Sequence, residues 1–370
     1  TTYRRTSWLI DVDERYSYVV DLVRVRGGNT HTISWHGPPG PVTTTGLTLV
    51  KQQRGTYAGE EVAFEALAPD WRNRAGWSFL YNVERAANPP EYFAVDYQAT
   101  DTRGRIAAPR QPHLRLHNLT ELQEVALADG DPPQNKPQAP RRMRFVLGKR
   151  VGKNLDSCFV SVLEPYDATP FLTRVRRLQV LEAAPGTNPA AVEVTTADGR
   201  VDTVVSCEAP GLVRIEGGIT LNGSFAFLAR RGGRLECAKL MGGTLLQCDA
   251  FRLTAETGAY TGTVARVLAD DPNNQQIELS EPLPGDQAGR TLIVQNDGRQ
   301  DAAYTLEGPP QGTRVSVGSI TLVRGFVDPG DHAKGYRYNV NPGDAYRVPT
   351  FVYVDLSTNA RQSNTRFTVR

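Results

Sequence analysis

The feature that most constrains the fold of this chain is a repeated rhythm of short apolar runs separated by turn residues. Runs of strand length alternate apolar and polar side chains, as in Tyr18 to Val25 and Tyr92 to Tyr97, and clusters of Gly, Pro, Asn and Asp end several of them. The 34 glycines and 25 prolines exceed the average share of these residues. Stretches rich in helix-forming residues are few, and no exact repeat with a period of roughly 20 to 50 residues is visible. The sequence therefore predicts an all-β chain built from antiparallel sheets.

The length of the chain predicts two β domains. A chain of 370 residues exceeds the usual size of one domain, and its 39% hydrophobic residues suffice for sizeable cores. We expect a large antiparallel β-sandwich of stacked sheets in residues 1–210, followed by a smaller β-sandwich or barrel-like domain in residues 211–370. The boundary is placed where tighter turns begin, around Ala209 to Gly218. The proline-rich stretch from Asp131 to Pro140 is predicted to be a surface excursion within the first domain.

The N-terminal segment shows the strand pattern most clearly. Two runs, Trp8 to Asp13 and Tyr16 to Arg26, read as strands joined by a short polar turn. Gly27-Gly28-Asn29 turns the chain again, and Thr30 to His36 forms a third run that ends at Gly37-Pro38-Pro39-Gly40. These three strands are predicted to form an antiparallel meander.

The charge balance excludes some classes of partner. The 42 basic and 40 acidic residues give a net charge of +2, too balanced to indicate nucleic acid or a membrane surface as a partner. No apolar run approaches the roughly 18 residues of a membrane span. A polyanion would therefore have to be bound locally. Because Tyr3-Arg4-Arg5-Thr6 leads directly into a strand without Met or a leader, we expect the chain to be part of a longer precursor.

Four cysteines, Cys158, Cys207, Cys237 and Cys248, lack the paired spacing of a zinc ribbon. Gly242-Gly243 could turn a hairpin that brings Cys237 and Cys248 close together. A disulfide between these two and buried free thiols are the two interpretations that the sequence leaves open.

Local motifs of several enzyme classes are absent, so candidate site residues come from the five histidines. The chain contains no GxSxG, HExxH, GxxxxGK[ST] or GxGxxG sequence. His31 and His36 are the catalytic candidates, although five residues of spacing put them on opposite faces of a regular strand. His36 follows Trp35 at a sheet end, where an aromatic ring and an imidazole suit a sugar and a proton transfer. Trp35 and Arg24 are the candidate substrate-binding residues.

A second histidine pair, His113 and His117, has the spacing HxxxH in a segment that alternates as a strand. Residues four apart on a strand share a face, but they lie about 13 Å apart, too far to bind one metal. We therefore predict no metal site here.

Two stretches of the sequence resemble the heparinase II/III family of polysaccharide lyases. The first looks like the family's "yRR…yvvDlfRv.GG..H…HG" stretch, and the second like its "l.S.FvtVlEPy" strand. Neither is a catalytic fingerprint, and together they cover roughly the first 210 residues. The matching segments are Tyr3 to Thr6, Tyr18 to Val25, Gly27 to His31, His36 to Pro38 and Leu155 to Tyr166.

The resemblance implies a function, an architecture and a location. Proteins of this family have an N-terminal helical toroid followed by antiparallel sheets, with the active site between them. They cleave uronic-acid-containing glycans by β-elimination, in which a residue or metal neutralises the uronate carboxylate while Tyr or His side chains move protons. The implied partners are an acidic polysaccharide and an N-terminal helical segment of the same precursor, and the implied location is secreted or periplasmic.

Two limits follow from the same resemblance. A divalent metal such as zinc is possible in the full-length protein, but its ligands are not identifiable in this sequence. The helical toroid is absent from the sequence, so we expect the chain alone to be inactive. The alternative to a lyase part is a non-catalytic carbohydrate-binding or structural β-sandwich module.

Overall fold

The computed structural model describes residues 2–66, 76–134, 136–296 and 301–370, and it confirms an all-β chain. Helical structure in this part is limited to two single 3₁₀ turns, Trp77–Phe79 and His332–Lys334. No helix in the same residues has the length and hydropathy needed to cross a membrane. The chain divides into two compact units: Thr1–Arg177 with Val192–Gly199, and Leu178–Ala191 with Arg200–Arg370.

The strands are numbered in chain order. The first group is β1 (Thr2–Asp11), β2 (Ser17–Arg26), β3 (Thr30–His36), β4 (Val42–Thr45), β5 (Val50–Lys51), β6 (Leu80–Ala87), β7 (Tyr92–Gln98), β8 (Pro112–Leu119), β9 (Glu124–Gly130), β10 (Met143–Val151), β11 (Asp156–Asp167), β12 (Leu172–Arg177), β13 (Val180–Ala183) and β14 (Ala190–Thr196). The second group is β15 (Arg200–Ile215), β16 (Ile219–Arg231), β17 (Arg234–Met241), β18 (Leu245–Cys248), β19 (Phe251–Ala255), β20 (Ala259–Leu268), β21 (Gln275–Leu279), β22 (Thr291–Gln295), β23 (Asp301–Thr305), β24 (Arg314–Gly318), β25 (Val323–Phe326), β26 (Tyr336–Tyr338), β27 (Ala345–Pro349), β28 (Phe351–Asp355), β29 (Arg361–Ser363) and β30 (Phe367–Val369).

The first unit is an antiparallel β-sandwich, as predicted. One sheet has six strands in the order β1-β2-β11-β8-β7-β4, and the other has five in the order β3-β10-β9-β6-β5. Alternate side chains of each sheet point inward, so the period-2 apolar pattern builds one core between the sheets. The core includes Val23, Phe93, Val95, Leu116 and Phe159 from the first sheet and Trp35, Val125, Leu127 and Val146 from the second.

The predicted N-terminal hairpin is confirmed, but the predicted meander is wrong at its third strand. β1 and β2 pair antiparallel, with Thr2 opposite Arg26 and Asp11 opposite Ser17. β3 pairs with β10 in the other sheet, because the free edge of β2 is occupied by β11. Gly27 and Gly28, with positive φ of 89° and 86°, turn the chain from one sheet to the other.

The second unit contains two further groups of antiparallel strands. In one, β15, β16, β17, β28 and β29 lie side by side, β13 pairs with β15, and β18 pairs with β16 and β19. The other is a six-stranded sheet in the order β23-β22-β27-β20-β21-β24. Each group has its own hydrophobic core, the first around Leu221 and Leu240 and the second around Ile277 and Val348.

The predicted boundary at residue 210 falls inside a strand. β15 runs continuously from Arg200 to Ile215, and its pairing with β16 shifts register between Ser206 and Gly211. Residues 207–210 therefore belong to an irregular, bulged part of this strand. The proline-rich segment forms the loop between β9 and β10, where its described residues are mostly exposed and Asn135 lies outside the described part.

The predicted hairpin that would bring Cys237 and Cys248 together is wrong. β17 and β18 do not form a hairpin, because each pairs with a different stretch of β16: Cys237 lies opposite Ala229 and Cys248 opposite Ile219. Both cysteines are free thiols, Cys248 buried and Cys237 partly buried, so no disulfide joins them.

We expect these two thiols to react slowly. Burial raises the pKa of both Cys237 and Cys248 from 9.0 to about 11, so the reactive thiolate at about pH 8 is depleted on the order of 100-fold. Alkylation by iodoacetamide, followed by mass spectrometry of the two peptides, should be slower by about this factor in the folded protein than in urea. Equal rates in the two states would contradict the prediction.

Candidate active site

His31 is fully engaged in the structure of the sandwich. It is 6% exposed, its Nδ1 lies 2.8 Å from Ser157 Oγ, and its Nε2 lies 2.6 Å from the Gly27 carbonyl oxygen. Because a carbonyl oxygen only accepts, Nε2 donates to Gly27 and Nδ1 accepts from the Ser157 hydroxyl. The imidazole therefore ties β3 to β11 and to the glycine turn, and neither nitrogen is left to take a proton from a substrate.

Trp35 lines a cavity beside His31. The cavity has a volume of about 450 Å³ and opens between β1, β2 and β3, with apolar walls that include Val23, Val25 and Phe159. Trp35 is 8% exposed, and its Nε1–H has no hydrogen-bond partner among the described residues. The structure thus brings His31 and Trp35 to one cavity, and the substrate-binding role of Trp35 stays a prediction.

His36 and Arg24 do not line this cavity. His36 is exposed at the end of β3, on the face opposite to Trp35, with its ring 5.3 Å from that of Phe145. Arg24 is buried on the face of β2 opposite to Val23, which lines the cavity. The four residues predicted from the sequence are therefore not gathered in one place, and the catalytic role of His36 stays a prediction.

A different set of side chains is connected across three neighbouring strands of the six-stranded sheet. On the face opposite to the core, Tyr92 of β7, His117 of β8 and Glu164 of β11 form a continuous hydrogen-bonded series. The Tyr92 hydroxyl lies 3.1 Å from His117 Nδ1, and His117 Nε2 lies 3.0 Å from Glu164 Oε2. We call this series the Tyr92–His117–Glu164 relay.

Glu164 fixes the direction of the hydrogen bonds in the relay. Its side chain is 0% exposed, and its Oε1 accepts the backbone N–H groups of Phe171 and Leu172, each at 2.7 Å. These contacts satisfy one carboxylate oxygen and leave the other to accept from His117 Nε2–H. His117 Nδ1 then accepts the proton of the Tyr92 hydroxyl. An exposed phenol is thereby linked through an imidazole to a buried carboxylate.

Tyr92 is the member of the relay that reaches solvent. The residue is 42% exposed, whereas His117 is buried. Partial burial raises the pKa of Tyr92, the nearby Arg115 charge lowers it, and the Glu164 charge raises it. The phenol is therefore protonated at neutral pH, and His117 is the group positioned to take its proton.

A second polar group adjoins the relay on the same face. Asp96 of β7 accepts hydrogen bonds from His113 Nδ1 at 2.6 Å and Arg115 Nε at 2.8 Å, both on β8, and from the Tyr166 hydroxyl of β11. The His113 and Tyr166 rings stack with centroids 4.8 Å apart. Arg115 also donates to Tyr166, 3.1 Å away, while its Nη1 has no partner among the described residues. This nitrogen remains available to an anion.

The stability supplied by Asp96 should disappear in acid. Burial raises the pKa of this carboxyl, but the hydrogen bonds from Tyr166, His113 and Arg115 together hold it below the ordinary 3.8. A carboxyl whose pKa is lowered on folding stabilises the protein above its ordinary pKa and loses this contribution as the pH falls through the lowered value. Asp96→Asn should therefore unfold at a lower temperature than the wild type at pH 7, and the difference should shrink below about pH 4. A difference that persists unchanged at pH 3 would contradict this assignment.

The sequence predicts part of this site but not the whole of it. The common face of His113 and His117 is confirmed by the structure, and each imidazole binds its own carboxylate. Glu164 lies in the second family-like stretch, and Tyr92 opens a clear strand pattern. The signal that could have revealed the site is the set of polar side chains at alternate positions of β7, β8 and β11. The remaining positions of these strands have the apolar pattern of a core.

No family model matches the chain, and no curated protein matches it significantly. Nor do the described residues contain a group of three or more His, Cys, Asp or Glu side chains arranged to hold a metal ion. The described residues thus offer no ligand set for the zinc that the resemblance allows.

Proposed function

We propose that the chain is the β-sheet part of a polysaccharide lyase that cleaves uronic-acid-containing glycans by β-elimination, together with an N-terminal helical toroid. The observation that carries the proposal is the Tyr92–His117–Glu164 relay, which links an exposed phenol to a wholly buried carboxylate. A carboxylate without solvent contact is costly to bury, and such groups cluster at functional sites. The resemblance of the first 210 residues supports the same assignment.

The relay supplies the proton transfers that an elimination needs. His117 takes the Tyr92 proton, and the Glu164 charge stabilises the resulting imidazolium. The Tyr92 phenolate then removes the C5 proton of the uronate, and the same phenol gives that proton to the departing O4 oxygen. The C5–H and C4–O4 bonds break, C4=C5 and O4–H form, and His117 finally returns its proton to Tyr92.

Arg115 is positioned to stabilise the charge that develops during this reaction. The C5 proton is only weakly acidic until the neighbouring carboxylate is neutralised. Arg115 lies close enough to Tyr92 for its charge to lower the pKa of that phenol, and its free Nη1 would meet the uronate carboxylate. Asp96 and Tyr166 hold the guanidinium in place through Nε and Nη2.

The test is an absorbance assay for the unsaturated uronate product. The chain is assayed alone and joined to the helical region of its precursor, with heparin-like and alginate-like polymers as substrates. We expect conjugated double bonds to appear with the joined protein and not with the chain alone. Absence of product from every polymer with the joined protein would reject the lyase assignment. Binding of an acidic glycan without product would instead favour the non-catalytic module.

A further inference from the structure

Basic residues are concentrated in two loops of the first unit. These loops connect β7 to β8 (residues 99–111) and β9 to β10 (residues 131–142). They carry six cations and two acids, so 36 basic and 38 acidic residues remain in the rest of the chain. The near-neutral total charge thus conceals a local excess of positive charge. The cations are Arg103, Arg105, Arg110, Lys136, Arg141 and Arg142.

The carboxylates of the two acids in these loops accept hydrogen bonds from other groups of the protein. Asp101 accepts the backbone N–H groups of Arg103 at 2.9 Å, Arg105 at 3.0 Å and Ile106 at 2.8 Å. These hydrogen bonds lower the pKa of Asp101 and fix the turn from which both arginines project. Asp131 accepts the hydroxyl of Tyr81 at 2.7 Å.

Three of the cations face one cleft between the loops. Arg103, Arg105 and Lys136, together with the amide of Gln138, line a cleft of about 270 Å³. None of the three cations forms a salt bridge within the described part of the chain, whereas Arg110 and Arg142 lie 3.9 and 3.4 Å from carboxylates. Like charges that share a cleft repel one another, so an anion bound there relieves an unfavourable interaction. We call this feature the basic cleft.

The basic cleft adjoins the polar face described above. The loop that carries Arg103 and Arg105 joins β7 to β8, the two strands that provide Tyr92, Asp96, His113 and His117. The loop begins after Gln98, the last residue of β7, which pairs with His113. It therefore lies at the end of the face that carries Asp96, and Tyr92 lies at the other end. A polymer could thus place one sugar unit at the Tyr92–His117–Glu164 relay and, if extended along β7 and β8, reach toward the basic cleft with a later unit.

We propose that the basic cleft binds the sulfate or carboxylate groups of a polyanionic glycan and so secures the substrate of the proposed lyase. The inference rests on the proposed function for the identity of the polymer, and on charge for the site. Neither loop contains an aromatic residue, so bases of a single-stranded nucleic acid would find no ring on which to stack. A site with cations but no aromatic side chains suits a polymer of sugars, because sugars carry charged groups but have no aromatic rings.

The test uses the joined protein, in which the chain is linked to the helical region of its precursor. It compares this protein with its Arg103→Gln, Arg105→Gln, Lys136→Gln triple variant. Both proteins also carry Tyr92→Phe, so that cleavage is slow, and binding of heparin fragments is measured by calorimetry over a series of NaCl concentrations. We expect the affinity at low salt to fall on the order of tenfold, because each exposed ion pair contributes modestly. The slope of log affinity against log salt should fall by up to about three, one for each cation removed. The matched control neutralises three exposed cations outside the loops, Lys51, Lys153 and Arg234, and should keep the wild-type slope.

Each outcome decides for or against the proposal. An unchanged affinity and slope in the triple variant would overturn it. DNA fragments of similar charge that bind as tightly, and lose the same factor in the variant, would show a general polyanion site and overturn the glycan assignment. Because binding is measured without turnover, failure of the lyase assay together with loss of binding in the triple variant would reject the proposed function and leave the basic cleft as a glycan-binding site.

Discussion

Replacement of Tyr92 by phenylalanine is expected to lower kcat by about 100- to 10,000-fold in the joined protein, the range typical of a lost acid–base group. The phenylalanine retains the ring but removes the hydroxyl that lies 3.1 Å from His117 Nδ1. KM should change little, because Arg115 and the basic cleft still hold the polymer. His117→Gln should reduce kcat to a similar extent, since the phenol then loses its proton acceptor.

The matched control for this prediction is Tyr353→Phe in the second unit. Tyr353 lies on β28, which is not one of the relay strands, and its hydroxyl is 3.5 Å from the carboxylate of Asp355. Its loss should leave kcat unchanged. If Tyr92→Phe turned over substrate at the wild-type rate, the phenol would have no part in the reaction and the relay would be rejected as the catalytic group.

Replacement of Glu164 by alanine is expected to lower the free energy of unfolding by about 3–5 kcal/mol, the range found when one partner of a buried ionic group is removed. The change would leave the backbone N–H groups of Phe171 and Leu172 and the His117 Nε2–H without an acceptor in a site of 0% exposure. Each unpaired buried donor carries its own desolvation cost. Urea denaturation monitored by tyrosine and tryptophan fluorescence measures the effect.

Two controls show whether burial of the carboxylate is responsible for that loss. Glu164→Gln keeps one oxygen for the backbone N–H groups and should destabilise the protein less than alanine. Glu193→Ala removes a carboxylate that pairs with Arg176 at 2.7 Å but remains 20% exposed, and it should cost about 1 kcal/mol or less. A Glu164→Ala variant no less stable than Glu193→Ala would show that the buried hydrogen bonds contribute little.

The local strand pattern was sufficient to predict the fold class and the first hairpin. Alternation in the run Tyr18 to Val25 correctly indicated a strand with one face in the core. The same pattern could not tell that β3 leaves this sheet, because a glycine turn permits either a hairpin or a crossing between sheets. The outcome is decided by β11, which arrives more than a hundred residues later and takes the edge of β2.

The candidate site depends on the same non-local pairing. Tyr92 and His117 are 25 residues apart, and His117 and Glu164 are 47 apart. Only the strand order β11-β8-β7 brings them together, and no local property of the three segments encodes that order. His36 was predicted because it follows Trp35 at a sheet end, but its side chain lies on the face opposite to Trp35. Both ring nitrogens of His31 are occupied by Ser157 and Gly27.

The position of β11 between β2 and β8 also sets the order in which the first unit can be completed during synthesis. Until residues 156–167 have left the ribosome, the β1–β2 hairpin and the β8-β7-β4 strands have no hydrogen-bonded connection. Contacts between such distant segments form slowly, because a long chain must first be brought into a loop. A nascent chain stopped at residue 151 should therefore expose two unpaired strand edges, those of β2 and β8, and be prone to aggregation and dependent on chaperones.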